Sequence, residues 1–364
     1  MSVRIVRYGQ SDWEVDIRWR SPGGRRQRDR KVLRGTSKSA AHRWGQARER
    51  DLLINGPTVK SKEVPTLEAF ASRFIEDYAV ANRQKPSGIA AKRTILNQHL
   101  LPALGGRKLD AITDADVQRL KGQLTHLQPK TVSNILSVLK KLLDMGVEWG
   151  VISTPPCRVR LVKFAVAECA SYDFREFDDL VKAAGAIDGV TLALVLLGGE
   201  AGLRCGEMMA LEWTDVNFTA RKLCVQRSEW KGEVTTPKGG RLRYVDISER
   251  LMTALKAIRN LKSRRVVCTN AGQPLTQQMV RRRVIAAATR AGLAKKGVHI
   301  LRHTFCSHLA MLGVPAITIQ RLAGHQNLLT TQRYMHVSPA ASGQAIHALD
   351  QRVAGARGGI GETA

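Results

Sequence analysis

Residues 299–304 read His299-Ile300-Leu301-Arg302-His303-Thr304, and residues 323–325 read Ala323-Gly324-His325, with Tyr334 nine residues further on. Upstream lie two shorter islands. One is Ala201-Gly202-Leu203-Arg204-Cys205-Gly206-Glu207, after the apolar run Leu192 to Leu197, and the other is Thr236-Pro237-Lys238-Gly239-Gly240, between two alternating segments at 223–227 and 242–247. Together the islands supply two arginines, a lysine, three histidines and a tyrosine. Guanidiniums clamp non-bridging phosphate oxygens in bidentate fashion, imidazoles carry protons, and a phenol serves as a nucleophile, so this inventory suits phosphoryl transfer without a metal. No Walker Gly-x-x-x-x-Gly-Lys-Ser/Thr and no carboxylate cluster for magnesium accompanies it.

Each residue also has a plainer reading. Arg204 and Glu207 are three apart and would make an ordinary ion pair on a helix. His299 and His303 are four apart, which suits two metal ligands, but no Glu follows His299 and no third ligand stands out. We therefore expect no metal and no cofactor. In the basic connection Lys231 competes with Lys238, and the Lys-Gly-Gly turn before a basic strand favours Lys238. A free phenol, with a pKa near ~10, is a poor nucleophile at neutral pH, so Tyr334 gains meaning only from its company.

That company resembles the tyrosine recombinase, or phage integrase, family. A Gly-Leu-Arg-x-x-Glu island, a hairpin lysine, His-x-Leu-Arg-His-Thr, Gly-His and a tyrosine nine residues later occur here in the family's order between residues 170 and 337. Carried over residue by residue, the resemblance implies Tyr334 as the nucleophile that joins a DNA 3′-phosphate, Arg204 and Arg302 as the oxygen clamp, and Lys238 as general acid for the leaving 5′-oxygen. It implies His299 as an assisting base, His325 as a hydrogen-bond donor to phosphate, and Glu207 as structural support for the arginine island. Ala323 stands where leucine is usual, and Cys306 where a small residue is common. The implied activity is site-specific recombination that integrates or excises a phage or other mobile element, performed by a homotetramer on double-stranded attachment sites with accessory DNA-bending or excisionase proteins. A type IB topoisomerase and a non-catalytic DNA-binding regulator are the alternatives.

The rest of the chain is consistent with a DNA partner. The 364 residues carry 58 Lys and Arg against 31 Asp and Glu, a formal charge of +27. The excess is spread along the chain, +9 over residues 1–60, +7 over 61–165 and +11 over 166–364, as expected of a protein that wraps an extended polyanion. Six cysteines stand singly, which argues against zinc knuckles and disulfide frameworks. The longest apolar run is far too short to cross a bilayer, and Met1 to Gln10 lacks a secretory core, so a cytoplasmic, nucleoid-associated protein is expected.

Hydrophobic periodicity divides the chain into three parts, mainly α with small β-sheets (α+β). Residues 1–60 read as a ββα-type arm-binding module, with a basic hairpin at 13–20 and 26–33 and a helix that ends before Asn55-Gly56-Pro57. Residues 63–163 read as a four-helix core-site domain, with breaks at Lys85 to Gly88, Pro102 to Gly106 and Gln128-Pro129. Residues 170–364 form a mixed α/β catalytic domain with a tail whose Ala345 to Val353 stretch has one apolar helical face. Arg18, Arg20, Lys85, Lys92, Arg93, Lys130 and Lys140 are candidate phosphate contacts.

Overall fold

A computed structural model describes residues 2–20, 26–55, 63–165 and 169–335. The expected tail helix at 345–353 lies outside the described residues. The N-terminal module has one more strand than expected: β1 (Ser2–Arg7) pairs antiparallel with β2 (Trp13–Arg20), and β2 with β3 (Arg26–Leu33). Its arrangement is therefore βββα. Val3 and Ile5 give β1 a period-two apolar side, and these residues pack with Val15, Ile17, Ala41 and Leu52 beneath helix α1 (Lys38–Asn55). The buried Asp16 carboxylate takes hydrogen bonds from Arg28 and Arg18, and the Arg28 bonds hold its pKa down to about 2.

The second unit is helical. Thr66 caps α2 (Leu67–Arg73), which widens into a π-helical stretch at Phe74–Val80. α3 (Pro86–Ile95) runs through another π-helical turn, Leu96–Leu100, into α4 (Leu101–Leu104). The break expected over Pro102 to Gly106 is therefore present at its glycines, while Pro102 itself does not interrupt the helix. It falls directly after the π turn, in the first turn of α4, where an absent N–H costs little; the chain turns instead at Gly105-Gly106. α5 (Asp114–Gln123) begins with a Thr113/Asp116 capping box, and α6 (Pro129–Glu148) contributes an apolar stripe from Val132 to Met145. Phe70, Phe74, Leu100, Ile112, Leu136, Leu139 and Leu142 fill the core between them.

The third unit is organised around α8 (Gly189–Gly199). Every residue from Ala193 to Gly199 is buried, so this helix has no solvent face and must be enclosed by others. Enclosing it are α7 (Phe174–Gly185), α10 (Glu249–Ile258), α11 (Gln277–Arg290) and α12 (Val298–Met311). After α8 come α9 (Cys205–Ala210) and a three-stranded antiparallel sheet, β4 (Val216–Asn217), β5 (Lys222–Val225) and β8 (Arg243–Asp246). The basic connection also holds a second hairpin that alternation did not reveal, β6 (Ser228–Trp230) with β7 (Glu233–Thr235). Its strands are three residues long, too short for periodicity to register. Two short helices, α13 (Ala316–Ala323) and α14 (Leu328–Met335), close the described chain.

Candidate active site

Five elements bring the sequence islands together. Arg204 is the N-cap of α9, and Glu207, at the third helical position, reaches back so that its Oε2 accepts the Arg204 backbone N–H at 2.8 Å. Its Oε1 accepts from Arg204 Nη1, also at 2.8 Å. Only 1% of Glu207 is exposed. Burial raises its pKa, but two hydrogen bonds from Arg243, the charges of Arg243 and Arg204 and the backbone bond outweigh it, and the net value is about 2.

The sequence reading missed Arg243. It lies on β8 opposite Val225, on the buried side of a strand that alternates buried and exposed residues, and its Nε donates to Leu322 O at 3.0 Å. An arginine at an inward position of a half-buried strand needs a carboxylate partner, and that was the available signal.

Arg204 and Arg302, the two arginines expected to clamp phosphate, both rest on backbone carbonyls of glycines with positive φ. Arg302, in the second turn of α12, donates from Nη1 to Gly202 O, and Arg204 Nη2 donates to Gly324 O at 3.0 Å. Gly202 has φ +65° and packs so tightly that a Cβ there would lie 2.5 Å from the Phe305 ring. Gly324 ends α13 in the left-handed conformation and turns the chain into His325. Arg302 is 5% exposed, and its Nη2 is buried with no hydrogen-bond partner among the described residues. Burial, and then the nearby Arg204 charge, lower its pKa to about 10, so it stays cationic at neutral pH.

Tyr334, on α14, is 3% exposed within a cluster of Phe305, Cys306, Ala310, Ile319 and Ala323. Burial pushes the phenol pKa well above its ordinary value. Its oxygen lies 2.6 Å from His303 Nδ1, and the His325 ring stacks on its face at 6.2 Å between centroids. His325 Nδ1 in turn meets Thr331 Oγ1 at 2.9 Å. Burial first, then nearby positive charge, lower the pKa of His303 to about 4 and that of His325 to about 3, so both rings are neutral at pH 7. His299 is exposed on the first turn of α12, one turn before Arg302.

Lys238 sits exposed in the loop between β7 and β8, on the rim of a cleft of about 600 Å³ that Arg243, Gly324 and His325 also line. Lys231 is elsewhere, at the β6–β7 turn over the Trp230 ring. Among the described residues no three His, Cys, Asp or Glu side chains gather as metal ligands, and no helix is long and apolar enough to cross a membrane.

The outer candidates fare differently. Lys85, the N-cap of α3, reaches across to the third unit, where its Nζ donates to Thr236 O, two residues from Lys238. Lys92 donates to Gln84 Oε1 at 2.7 Å, Lys130 lies over Phe164, and Arg93 and Lys140 are exposed. Arg18 pairs with Asp16 while staying about half exposed. The Arg20 side chain lies outside the described residues.

Comparison with known proteins places this arrangement. Residues 172–341 match the model of the phage integrase family, and residues 66–124 match that of a phage integrase N-terminal SAM-like domain. Tyrosine recombinase XerC of Thermodesulfovibrio yellowstonii is 32% identical over 232 residues, which cover 60% of this chain and 74% of that protein. The chain belongs to the phage integrase family of tyrosine recombinases. It is thus a site-specific recombinase. The ICEBs1 integrase of Bacillus subtilis is 24% identical over 96% of this chain and 99% of its own length. Among solved structures, the Tn1549 transposon integrase in complex with a circular intermediate DNA superposes with TM-score 0.67 at 16% identity, over 78% of this chain and 99% of that one. A lambda integrase dimer bound to a core site gives 0.61 at 17%, over 91% and 94%. These structures share the fold of this recombinase.

Proposed function

We propose that this recombinase integrates or excises a mobile DNA element, and that Tyr334 Oη attacks the scissile phosphodiester to form a 3′-phosphotyrosine. Arg204 and Arg302 hold the non-bridging oxygens, His325 donates to one of them from Nε2, and Lys238 protonates the departing 5′-oxygen. His299 stands beside Arg302 and lends its imidazole to the phosphate. One observation carries this reading. Arg302 presents a buried N–H with no partner among the described residues, beside a second arginine and a buried phenol, and a phosphate oxygen suits that donor because it accepts the hydrogen bond and also offsets the paired positive charge.

The covalent intermediate conserves the phosphodiester energy, so a 5′-hydroxyl rejoins the strand without ATP. Exchange between two duplexes cuts four strands, one subunit to each, which calls for a homotetramer on double-stranded attachment sites, aided by DNA-bending or excisionase proteins at the nucleoid. The Tn1549 and lambda integrases were each solved on DNA, the latter also as a tetramer bound to a Holliday junction, and this chain shares their fold.

The test is denaturing electrophoresis of the protein with end-labelled duplex carrying the junction sequence of the element that encodes it. The unaltered chain should give a protease-sensitive, slow-migrating band. Tyr334→Phe keeps the ring and fold but should give none, and a band at undiminished yield would assign the attack to another residue.

A further inference from the structure

Every recombinase of this chemistry must remove a proton from its nucleophile, and here the phenol is turned toward a histidine other than His299. We propose that His303 is the general base for Tyr334, taking the phenolic proton at Nδ1 during cleavage and returning it during rejoining. The inference rests on Tyr334 being the nucleophile.

Three features support it. The 2.6 Å separation of His303 Nδ1 and Tyr334 Oη is within the reach required of a base, whereas His299 stands exposed a full turn away along α12. The two rings also lie close, tilted 36° with centroids 5.9 Å apart, and the phenol is buried in a cluster with Phe305 and Ala323. The groups around the pair disfavour a charged imidazole at rest: His299 and Arg302 on α12, Arg333 on α14 and His325 beyond α13, with Arg204 and Arg243 close to His325, are basic or neutral, and Cys306 and Cys169 also neighbour the phenol. A neutral imidazole with its proton on Nε2 leaves Nδ1 free to accept from the phenol.

The step balances. As the Oη–P bond forms, the Oη–H electron pair becomes the new bond and the proton moves to His303 Nδ1; the P–O5′ bond breaks and O5′ takes a proton from Lys238. In rejoining, the 5′-hydroxyl gives its proton to the neutral Lys238 amine as O5′ bonds to phosphorus, the Oη–P bond breaks, and His303 gives its proton back to the leaving phenolate. His325 meets Thr331 Oγ1 through Nδ1, and with its proton on Nε2 it donates to the phosphate while the Tyr334 proton goes to His303.

The experiment compares an ordinary junction duplex with one carrying sulfur in place of the scissile 5′-oxygen, which leaves as a thiolate and needs no acid. His303→Gln keeps an acceptor for the phenol but cannot hold the proton. It should slow covalent complex formation roughly 100-fold or more on both duplexes, whereas Lys238→Ala should recover on the sulfur duplex. Its rate should rise with pH where that of the unaltered chain is level, and added imidazole should revive His303→Ala. Thermal unfolding of each variant checks the fold.

A His303→Gln rate close to that of the unaltered chain, with the same pH profile, would show that His303 only orients the phenol. Recovery of His303→Gln on the sulfur duplex would place it on the leaving-group side. Either result overturns the proposal while leaving Tyr334 as nucleophile, and a covalent band from Tyr334→Phe would instead overturn the functional reading.

Discussion

At the scale of single residues, Glu207 decides whether the site exists. It accepts from Arg204, from the Arg204 backbone and twice from Arg243, and it is nearly inaccessible to water. Its pKa is about 2 in the folded chain against an ordinary 4.5, so its stabilisation is complete above 4.5 and is lost as pH falls toward 2. Glu207→Gln should flatten that acid limb and, by leaving Arg243 buried without its counter-charge, cost roughly 3–5 kcal/mol in urea unfolding at pH 7. His303 and His325 act in a higher window. Their folded values of about 4 and about 3 lie below 6.5, so the unfolded chain takes up protons first, and stability should already decline as pH drops below 6.5. Replacing both with Gln should lessen that decline, the remainder coming from His299 and His308, whose pKa values burial also lowers. Arg204→Ala and Arg302→Ala keep the proposed nucleophile, Tyr334, and, if the two arginines hold the phosphate as proposed, should lose roughly 100-fold or more in cleavage rate, as removal of a preorganised oxyanion donor does.

At the scale of elements, the site depends on how closely its supports approach one another. The turn from α8 into α9 passes through Gly202, whose carbonyl carries Arg302 and whose α-carbon leaves no room for a methyl group against Phe305. Gly202→Ala should therefore destabilise the fold by about 1–3 kcal/mol and, by moving the Arg302 acceptor, lower the cleavage rate as well. A larger loss of rate than of stability in single-turnover assays would confirm that the turn is part of the clamp. Lys85 is a support of another kind, since it joins the helical unit to the loop of Lys238. Lys85→Ala should free that loop and speed trypsin cleavage at Lys238 and Arg241, and an unchanged cleavage pattern would show the contact to be without consequence.

At the scale of the whole molecule, positive charge on all three units predicts a DNA affinity that falls steeply with salt. The N-terminal module adds +9 on a sheet-and-helix unit with its own small core. Removing residues 1–60 should spare cleavage of a junction duplex and abolish efficient recombination between full attachment sites; undiminished recombination would deny the module a separate DNA site. Cleavage should proceed in excess EDTA, because the proposed charge stabilisation comes from Arg204, Arg302 and Lys238. Loss of cleavage restored only by a divalent ion would refute that mechanism.

The sequence by itself determined the family, the order of the islands and most of the helices, because each was encoded locally: the Leu192 to Leu197 run, the capping residues Thr66, Thr113 and Asp173, and the spacing from His299 to Tyr334. It did not reveal β1, whose alternation rests on Val3 and Ile5 alone, or β6 and β7, whose three-residue strands are too short for a period to emerge, and within the break it marked at Pro102 to Gly106 only the structure shows that the chain turns at the glycines. Only the tertiary structure decided which groups meet. Arg243 is 36 residues from Glu207, Gly202 is 100 from Arg302, and His303 is 31 from Tyr334, separations at which no local pattern constrains a partner. Those pairings follow from packing around α8, where burial removes water as a competitor and leaves each polar atom to the partner that the folded chain provides.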